Sequence, residues 1–386
     1  MDVQTDKGKL TLLYAPLNWG LGHASRGIYL IQTFLDAGHR VILAADGDAY
    51  FLLQSTFPDL ELKRLPFYSV RYSGIFPIWL KMFFSLPGFF RSVRREHRLL
   101  KEIIREKKVD IIVSDNRYGL YHRKVYSIFI THQLFIRAPG PFRIFEPILF
   151  RWNRKRLKHF SEVWVPDFPG GDNLAGLLSH PLRKKIRKVR YIGPISRFMH
   201  PVFSGKEPVT VKYDVVVILS GPEPHRTVLE RILIRKLRRT DYRVLMFRGI
   251  LWKKEAKRIY DNIRLVTHLD SSLFYTYLTD ARYVIARAGY TTIMDMVALQ
   301  KPAILIPTPG QPEQEYLAAY LSPRNRFIFM HQDEIDLVQA FNKIDVLESI
   351  DMNVQPSLVF KAAEAAVQAI YQSRRAARKK PVKKPV

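Results

Sequence analysis

Residues 10–45 have the sequence LTLLYAPLNWGLGHASRGIYLIQTFLDAGHRVILAA, in which two apolar runs flank a stretch with helical periodicity. The spacing predicts a strand over 10–15, a helix over 24–36 and a second strand over 40–45. The same alternation continues along the chain, and a second series of strands begins at Asp214. This pattern predicts an α/β protein with parallel sheets, and the length of 386 residues suggests two such domains.

The chain divides into four predicted regions, with a hinge over the Gly- and Pro-containing residues 191–208. They are an N-terminal Rossmann-like domain (1–198), a C-terminal Rossmann-like domain (199–355), a helix (356–372) and a basic disordered tail (373–386).

Charge and composition narrow the possible functions. The net charge is +27, of which the first 200 residues carry +17, residues 201–372 carry +3 and the last 14 residues carry +7. This excess predicts an anionic partner, and its distribution favours a binding surface for that partner on the first domain. The absence of cysteine excludes disulfides and thiolate zinc sites. The most apolar region, residues 74–90, is interrupted by Pro77, Lys81 and Pro87, so no transmembrane segment is expected.

Three polar loops follow predicted strands, at the edge of a parallel sheet where ligands bind. The first, residues 18–27, places Gly20 and Gly22 in a sharp turn and His23 at the start of the next helix. Ser25 replaces the third glycine of a dinucleotide fingerprint, which disfavours such a cofactor. Turn geometry alone also explains the two glycines.

The other two loops lie in the second half of the chain. Residues 285–296 combine a small-residue turn with two threonines at a helix start, where free amides bind diphosphates, and Asp295 is placed one turn further to accept from ribose. Residues 307–316 are rich in side chains that hydrogen-bond sugars. Ordinary helix caps look similar to each loop, but the three together favour a ligand cleft between two domains.

These motifs resemble the GT-B glycosyltransferases. The resemblance is carried by Gly-x-Gly-His at 20–23, Arg-Ala-Gly-Tyr-Thr-Thr-x-x-Asp at 287–295, Lys-Pro-Ala-Ile-Leu-Ile-Pro at 301–307 and Gln-Pro-Glu-Gln at 311–314. The branch that the chain resembles contains the peptidoglycan enzyme that transfers N-acetylglucosamine from UDP to a lipid-linked muramoyl peptide. The resemblance covers both domains and is most specific over residues 280–321.

The resemblance implies a GT-B fold, with two Rossmann-like domains facing across a cleft. It implies a metal-independent, inverting hexosyltransferase that uses a nucleotide-diphosphate sugar, with UDP expected, a lipid or cell-envelope acceptor and no cofactor. The donor residues that it implies lie in the second domain: Ala288, Gly289, Thr291 and Thr292 at the diphosphate, Asp295 at the ribose, and Gln314 and Glu315 at the sugar. Gln311 in the same loop is a further expected donor contact.

Further donor contacts are expected in loops that follow other strands. They are Gly20, Gly22, Ser220, Gly221, Arg226 and Arg248, the last two as phosphate-neutralising cations. In a chain with 62 basic residues, chance placement is the alternative for either arginine.

An inverting transfer needs a base for the acceptor hydroxyl. His23 is the first candidate, because an imidazole titrates near neutral pH. Asp115, at the end of a first-domain strand, either orients His23 or is itself the base. A phosphate contact or a structural role is the alternative for His23. The expected acceptor contacts also follow strands of that domain, with a structural role as the alternative for His132: Asn18, Asn116, His132 and Gln133.

An aromatic and basic stretch of the first domain predicts contact with an anionic membrane surface. Core packing of the aromatic rings is the alternative. The predicted location is cytoplasmic, peripheral at the inner face of the plasma membrane. The residues expected at the membrane are Phe76, Trp79, Phe83, Phe84, Arg91, Arg94 and Arg95.

Two other functional classes fit part of the sequence. A nucleic-acid-binding protein would explain the charge, but no helix-turn-helix, zinc-finger or RNA-binding signature is present, so no nucleic-acid partner is expected. A nucleotide-sugar epimerase or hydrolase of the same fold would use the cleft without an acceptor.

Overall fold

The computed structural model describes residues 8–66, 78–138, 140–182, 186–205, 207–250, 256–267, 269–324, 326–347 and 354–378. For residues 78–86, 141, 256–258 and 376–378 it describes the backbone alone.

The first domain is built on a parallel sheet of seven strands in the order β3-β2-β1-β4-β5-β6-β7. The strands are β1 (Thr11–Pro16), β2 (Arg40–Ala45), β3 (Glu61–Arg64), β4 (Ile111–Asp115), β5 (Tyr126–Ile130), β6 (Glu162–Val165) and β7 (Val189–Tyr191). The helices are α1 (Gly22–Asp36), α2 (Gly47–Thr56), α3 (Ile78–Lys107) and α4 (Glu146–Leu157).

The second domain repeats this plan, with the strand order β10-β11-β9-β8-β12-β13-β14 and only the edge strand β10 antiparallel among the described residues. The strands are β8 (Val215–Ile218), β9 (Val244–Phe247), β10 (Ala256–Tyr260), β11 (Ile263–Val266), β12 (Tyr283–Arg287), β13 (Ile304–Ile306) and β14 (Ile328–Phe329). The helices are α5 (His225–Leu237), α6 (Ser271–Asp280), α7 (Tyr290–Ala298), α8 (Pro312–Leu321), α9 (Leu337–Asp345) and α10 (Pro356–Arg378).

Both faces of each sheet are covered, as expected for parallel strands. On β1, Leu12 and Tyr14 enter the core formed with α1, whereas Leu13 and Ala15 enter a different core on the opposite face. Successive side chains of β1 point to opposite faces of the sheet, and both faces are buried, so β1 is apolar at successive positions rather than at alternate ones. The predicted architecture of two Rossmann-like domains is confirmed.

Strands over 40–45 and 162–165 were predicted with the bounds that they have in the structure. The sequence prediction omitted α2, β3, β7, β10, β14 and α9. The omitted strands lie at the sheet edges. Edge strands are short and partly exposed, so they contain few apolar residues and their periodic signal is weak.

The C-terminal helix α10 returns to the first domain after the chain has completed the second. Its buried face, including Val359, Ala366 and Ile370, belongs to the core that also contains Leu12 and Ile28. The predicted disorder from residue 373 onward is wrong for 373–378, which continue α10. Alanine and arginine favour helix, so the helix continues without further burial.

Among the described residues, no helix combines the length and the apolar content that a membrane span requires.

Candidate functional site

The loop after β1 lies at the point where the strand order of the first sheet reverses, between β1 and β4, which is where doubly wound folds bind ligands. Gly20 has a φ of +76°, a conformation that other residues adopt only with strain. A β-carbon on Gly22 would lie 2.7 Å from the Thr291 hydroxyl of the other domain. The start of α1 therefore closely approaches the start of α7 across the cleft.

His23 lies at the centre of a buried polar cluster. Its Nδ1 is 2.8 Å from Oδ1 of Asp115, the last residue of β4, and Asp115 is fully buried. Arg26 donates from Nε to Asp115 Oδ2 at 2.7 Å, and its Nη2 is paired with the other carboxylate oxygen. Tyr14 donates to Asp115 from 3.3 Å. His23 and Arg26 are three residues apart, so both project from the same face of α1.

The charges of the cluster set its protonation. Burial raises the pKa of the Asp115 carboxyl, but Arg26 and His23 outweigh that effect and hold the pKa below its usual range. Burial lowers the pKa of the His23 imidazole, Asp115 counteracts part of this effect, and Arg26 adds to the lowering. Two contacts of His23 Nδ1 favour opposite tautomers: Arg26 Nη2, which only donates, lies 3.0 Å away, and the Asp115 carboxylate, which only accepts, lies 2.8 Å away. We assign the ring proton to Nδ1 because the carboxylate contact is the shorter of the two, and this leaves Nε2 as a proton acceptor at neutral pH.

His132 and Gln133, the predicted acceptor contacts after β5, both reach across to Glu313 of the second domain. His132 Nε2 lies 2.8 Å from Glu313 Oε1, and Gln133 donates to the other oxygen of that carboxylate. The His132 ring also stacks on Tyr290, with 4.0 Å between ring centroids. The two domains are thus joined directly beside His23.

The predicted diphosphate residues lie at the second switch point, between β8 and β12. Gly289 caps α7, Ala288 is buried, and Thr291 and Thr292 occupy the first turn of the helix. The side chain of Thr291 in this first turn approaches Gly22 of α1 in the first domain. A diphosphate placed there would meet the positive end of the α7 dipole.

Asp295, the predicted ribose contact, is largely buried and accepts from the Ser196 hydroxyl at 2.5 Å. Burial raises the pKa of this carboxyl to about 6, against the lowering effects of Arg197 and Ser196. The side chain is therefore tied to the segment that links the domains.

The two predicted sugar contacts on α8 bond their own loop. Gln314 accepts from the backbone amide of Thr308 at 2.8 Å, and Glu315 accepts from that of Gly310 at 2.8 Å. Gln311 caps the helix. These contacts fix the loop over 307–311 against α8.

The two predicted phosphate-neutralising arginines have carboxylate partners. Arg226 donates to Glu223 at 2.9 Å, and Arg248 lies 2.6 Å from Glu230. Ser220 and Gly221 follow β8 as expected, and Gly221 has a φ of +99°.

Asn18 and Asn116, the other predicted acceptor contacts, line a small cavity of about 20 Å³ in the first domain. Asn116 adopts a left-handed backbone, with a φ of 61°, at the end of β4. Arg117, which also lines this cavity, donates to Glu96 at 2.5 Å and pairs with Asp46. Buried ion pairs therefore hold part of the cavity wall.

Of the predicted membrane residues, Phe76 and the side chains of Trp79, Phe83 and Phe84 lie outside the described part of the chain. Arg91, Arg94 and Arg95 are exposed on α3.

Comparison with known proteins agrees with this geometry. Residues 225–368 match the family described as the glycosyltransferase family 28 C-terminal domain. An uncharacterized glycosyltransferase of Methanosarcina mazei is 24% identical over 325 residues, covering 78% of this chain and 80% of the relative. The glycotransferase of kitacinnamycin superposes with a TM-score of 0.57 at 14% identity, over 97% of this chain and 98% of the other. This chain is a glycosyltransferase with the GT-B fold.

A more specific relative covers only part of this glycosyltransferase. The UDP-N-acetylglucosamine–N-acetylmuramyl-(pentapeptide) pyrophosphoryl-undecaprenol N-acetylglucosamine transferase of Caldanaerobacter subterraneus subsp. tengcongensis is 28% identical over 153 residues, 39% of this chain and 35% of the relative. The match supports the fold class and leaves the branch within the glycosyltransferases open.

Sequence reasoning missed two residues of this glycosyltransferase site, Arg26 and Glu313. The three-residue spacing of His23 and Arg26 on one predicted helix is a local signal that could have identified Arg26. Glu313 lies inside a quoted motif, but its contact with His132 joins positions 181 residues apart and has no local signal.

Proposed function

We propose that this enzyme transfers a hexose or N-acetylhexosamine from a nucleotide-diphosphate sugar, with UDP as the nucleotide, to the hydroxyl of a lipid or cell-envelope acceptor, with inversion and without a metal ion. The observation that carries the proposal is the buried His23–Asp115–Arg26 cluster, which lies opposite the start of α7 in the second domain. This arrangement supports the proposal because His23 would act as proton acceptor on one side of the cleft and the start of α7 would hold the diphosphate on the other.

In this mechanism, His23 Nε2 takes the proton of the acceptor hydroxyl while the hydroxyl oxygen bonds to the anomeric carbon of the donor sugar. Asp115 holds the imidazole through Nδ1 and stabilises the imidazolium that forms. The bond from the anomeric carbon to the diphosphate oxygen breaks, and that oxygen keeps the electron pair. The amides and hydroxyls at the start of α7 then stabilise the leaving diphosphate.

The choice of UDP is supported by relatives and by fold neighbours. One solved neighbour, UGT89C1 of Arabidopsis thaliana, is described in complex with UDP-L-rhamnose, and superposes with a TM-score of 0.55 at 14% identity, over 95% of this chain and 96% of the other.

The lipid-linked acceptor has separate support. The name of the partial relative describes transfer to a lipid-linked acceptor. The first domain, which the mechanism assigns to the acceptor, carries the exposed arginines of α3.

The donor is tested by isothermal titration with UDP, GDP and dTDP at equal ionic strength. We expect UDP to bind more tightly than the other two, and Thr291→Val combined with Thr292→Val to weaken UDP binding about tenfold through loss of two hydroxyl contacts. Exchanging two exposed residues of the same domain, Val338→Thr and Val346→Thr, is the matched control and should leave UDP binding unchanged.

The reaction is tested by incubating the enzyme with radiolabelled UDP-glucose or UDP-N-acetylglucosamine and a total lipid extract. Label that moves into the organic phase only when extract is present supports the proposal. An isomerised nucleotide sugar formed without extract indicates an epimerase instead, and free sugar formed at the same rate with or without extract indicates a hydrolase. Failure to bind any of the three nucleotides, together with salt-sensitive RNA binding, would refute the enzyme proposal itself.

A further inference from the structure

An open cleft of about 440 Å³ lies between α3 and α4 on the first domain. Three arginines line it, Arg94 and Arg98 from α3 and Arg156 from α4, together with His97 and Tyr121. Within the described residues no carboxylate forms an ion pair with any of the three arginines. The cleft thus concentrates positive charge that no described carboxylate neutralises through an ion pair.

The walls of the cleft are ordered by specific contacts. His97 Nδ1 lies 3.1 Å from the backbone oxygen of Gly119, and the His97 and Tyr121 rings lie 4.9 Å apart. The Arg156 guanidinium lies 5.7 Å from the centre of the Trp152 ring and is held over that ring by a cation–π contact. Arg156 is therefore fixed at the rim rather than free to turn away into solvent.

One histidine next to the cleft is affected by its charge. Burial lowers the pKa of His159, and Arg156 is the strongest of the cations that add to the effect.

Exposed apolar side chains lie at the start of α4 and just before it: Ile148 is 59% exposed and Ile144 is 75% exposed. Ile148, Trp152 and Arg156 are spaced four residues apart and so form one stripe along the helix, about 12 Å long at 1.5 Å per residue. Within this stripe Trp152 is half-buried and packs against Tyr118. Exposed apolar and basic side chains side by side favour contact with an anionic lipid surface.

The cleft lies on the domain that holds the predicted acceptor contacts. Val93 of α3 lines both the cationic cleft and the small cavity lined by Asn18 and Asn116, so the two spaces share a wall residue.

We propose that this cleft binds the phosphate of an anionic membrane lipid, while Ile144 and Ile148 enter the headgroup layer beside it. The inference rests on the proposed membrane-linked acceptor, and it adds a defined headgroup site to a contact that was expected only as a charged surface. Phosphate accepts the paired N–H donors of arginine, which suits a cleft lined by three guanidinium groups.

The test is co-sedimentation of the full chain with vesicles of phosphatidylcholine alone and with vesicles in which about 30% of the lipid is phosphatidylglycerol, the anionic probe. The cleft variant carries Arg94→Gln, Arg98→Gln and Arg156→Gln. Its matched control loses the same charge from exposed cations outside the cleft, through Arg105→Gln, Arg187→Gln and Lys361→Gln.

We expect the cleft variant to bind anionic vesicles roughly 100-fold more weakly, since each basic residue near an anionic surface contributes about fivefold. The control should lose less than fivefold. Ile148→Ser should weaken vesicle binding and leave titration with inorganic phosphate unchanged. Circular dichroism melting and UDP titration of each variant show whether the fold and the nucleotide site are intact.

Equal losses in the cleft variant and its control would overturn the proposal, because binding would then depend on diffuse charge. Binding of inorganic phosphate without binding of vesicles would also overturn it in favour of a soluble anion, and tighter binding of an RNA oligomer than of vesicles would favour nucleic acid. If the cleft variant loses vesicle binding and keeps UDP binding, the effect is confined to the cleft and supports the proposal. Absence of nucleotide binding in the wild type, with vesicle binding intact, would refute only the proposed reaction.

Discussion

Replacing His23 with alanine removes the proposed base and leaves most of the surrounding cluster in place. Asp115 keeps both of its contacts with Arg26 and the hydroxyl of Tyr14, so its buried charge remains compensated. The structural cost is one hydrogen bond from an imidazole that is 14% exposed, which amounts to about 1 kcal/mol of unfolding free energy. The variant should therefore fold.

The catalytic cost is much larger. A positioned general base contributes a factor of roughly 10² to 10⁴, which corresponds to about 3–5 kcal/mol of the activation free energy at 1.36 kcal/mol per decade. The loss should fall on turnover, while the dissociation constant for UDP stays within about twofold of the wild-type value, since the proposed diphosphate contacts lie on α7 rather than at His23.

The assay measures the initial rate of UDP release from the nucleotide sugar that binds best, in the presence of lipid extract, together with a titration of UDP. His331→Ala, at an exposed histidine of the second domain, is the matched control and should retain full turnover. A His23→Ala enzyme with more than a tenth of wild-type turnover would remove His23 as the base. A melting temperature lowered by far more than the control would mean that the cluster is required for folding rather than for chemistry.

Further predictions concern the charge, packing and pH dependence of the same region. Arg26→Met should move the acidic limb of the pH–rate profile to higher pH, since Arg26 lowers the pKa of His23; an unchanged limb would refute the coupling. Gly27→Ala should lower stability by about 1–3 kcal/mol in urea denaturation, because its β-carbon would lie 2.1 Å from a buried tyrosine hydroxyl, whereas Gly170→Ala, with open space around it, should be nearly neutral. Asp295→Asn should stabilise the fold by up to about 3 kcal/mol at pH 7.5. Burial raises the pKa of this carboxyl to about 6, so its ionisation in the folded protein at higher pH lowers the free energy of unfolding. The gain should disappear below about pH 4, where the carboxyl is protonated in both the folded and the unfolded protein. A gain that is independent of pH would contradict that origin.

The sequence by itself determined the elements and the loops that carry the site. Residues 40–45 and 162–165 were predicted to the residue, because a buried parallel strand is a continuous apolar run whose signal is local. The glycines at 20 and 22 and the small-residue turn before α7 were likewise placed correctly at strand ends. Their roles toward a nucleotide sugar came from the resemblance, and the fold class that it implied is confirmed.

Tertiary structure alone decided which of these residues meet. His23 contacts Asp115 because β4 pairs with β1, although the residues are 92 apart in sequence. Glu313 reaches His132 only because the two domains face each other, and α10 completes the first domain only after the chain has left it. Strand order and domain docking depend on how apolar faces pack over long sequence separations, and no local periodicity encodes them. The sequence therefore specified the parts of the site, and packing assembled them.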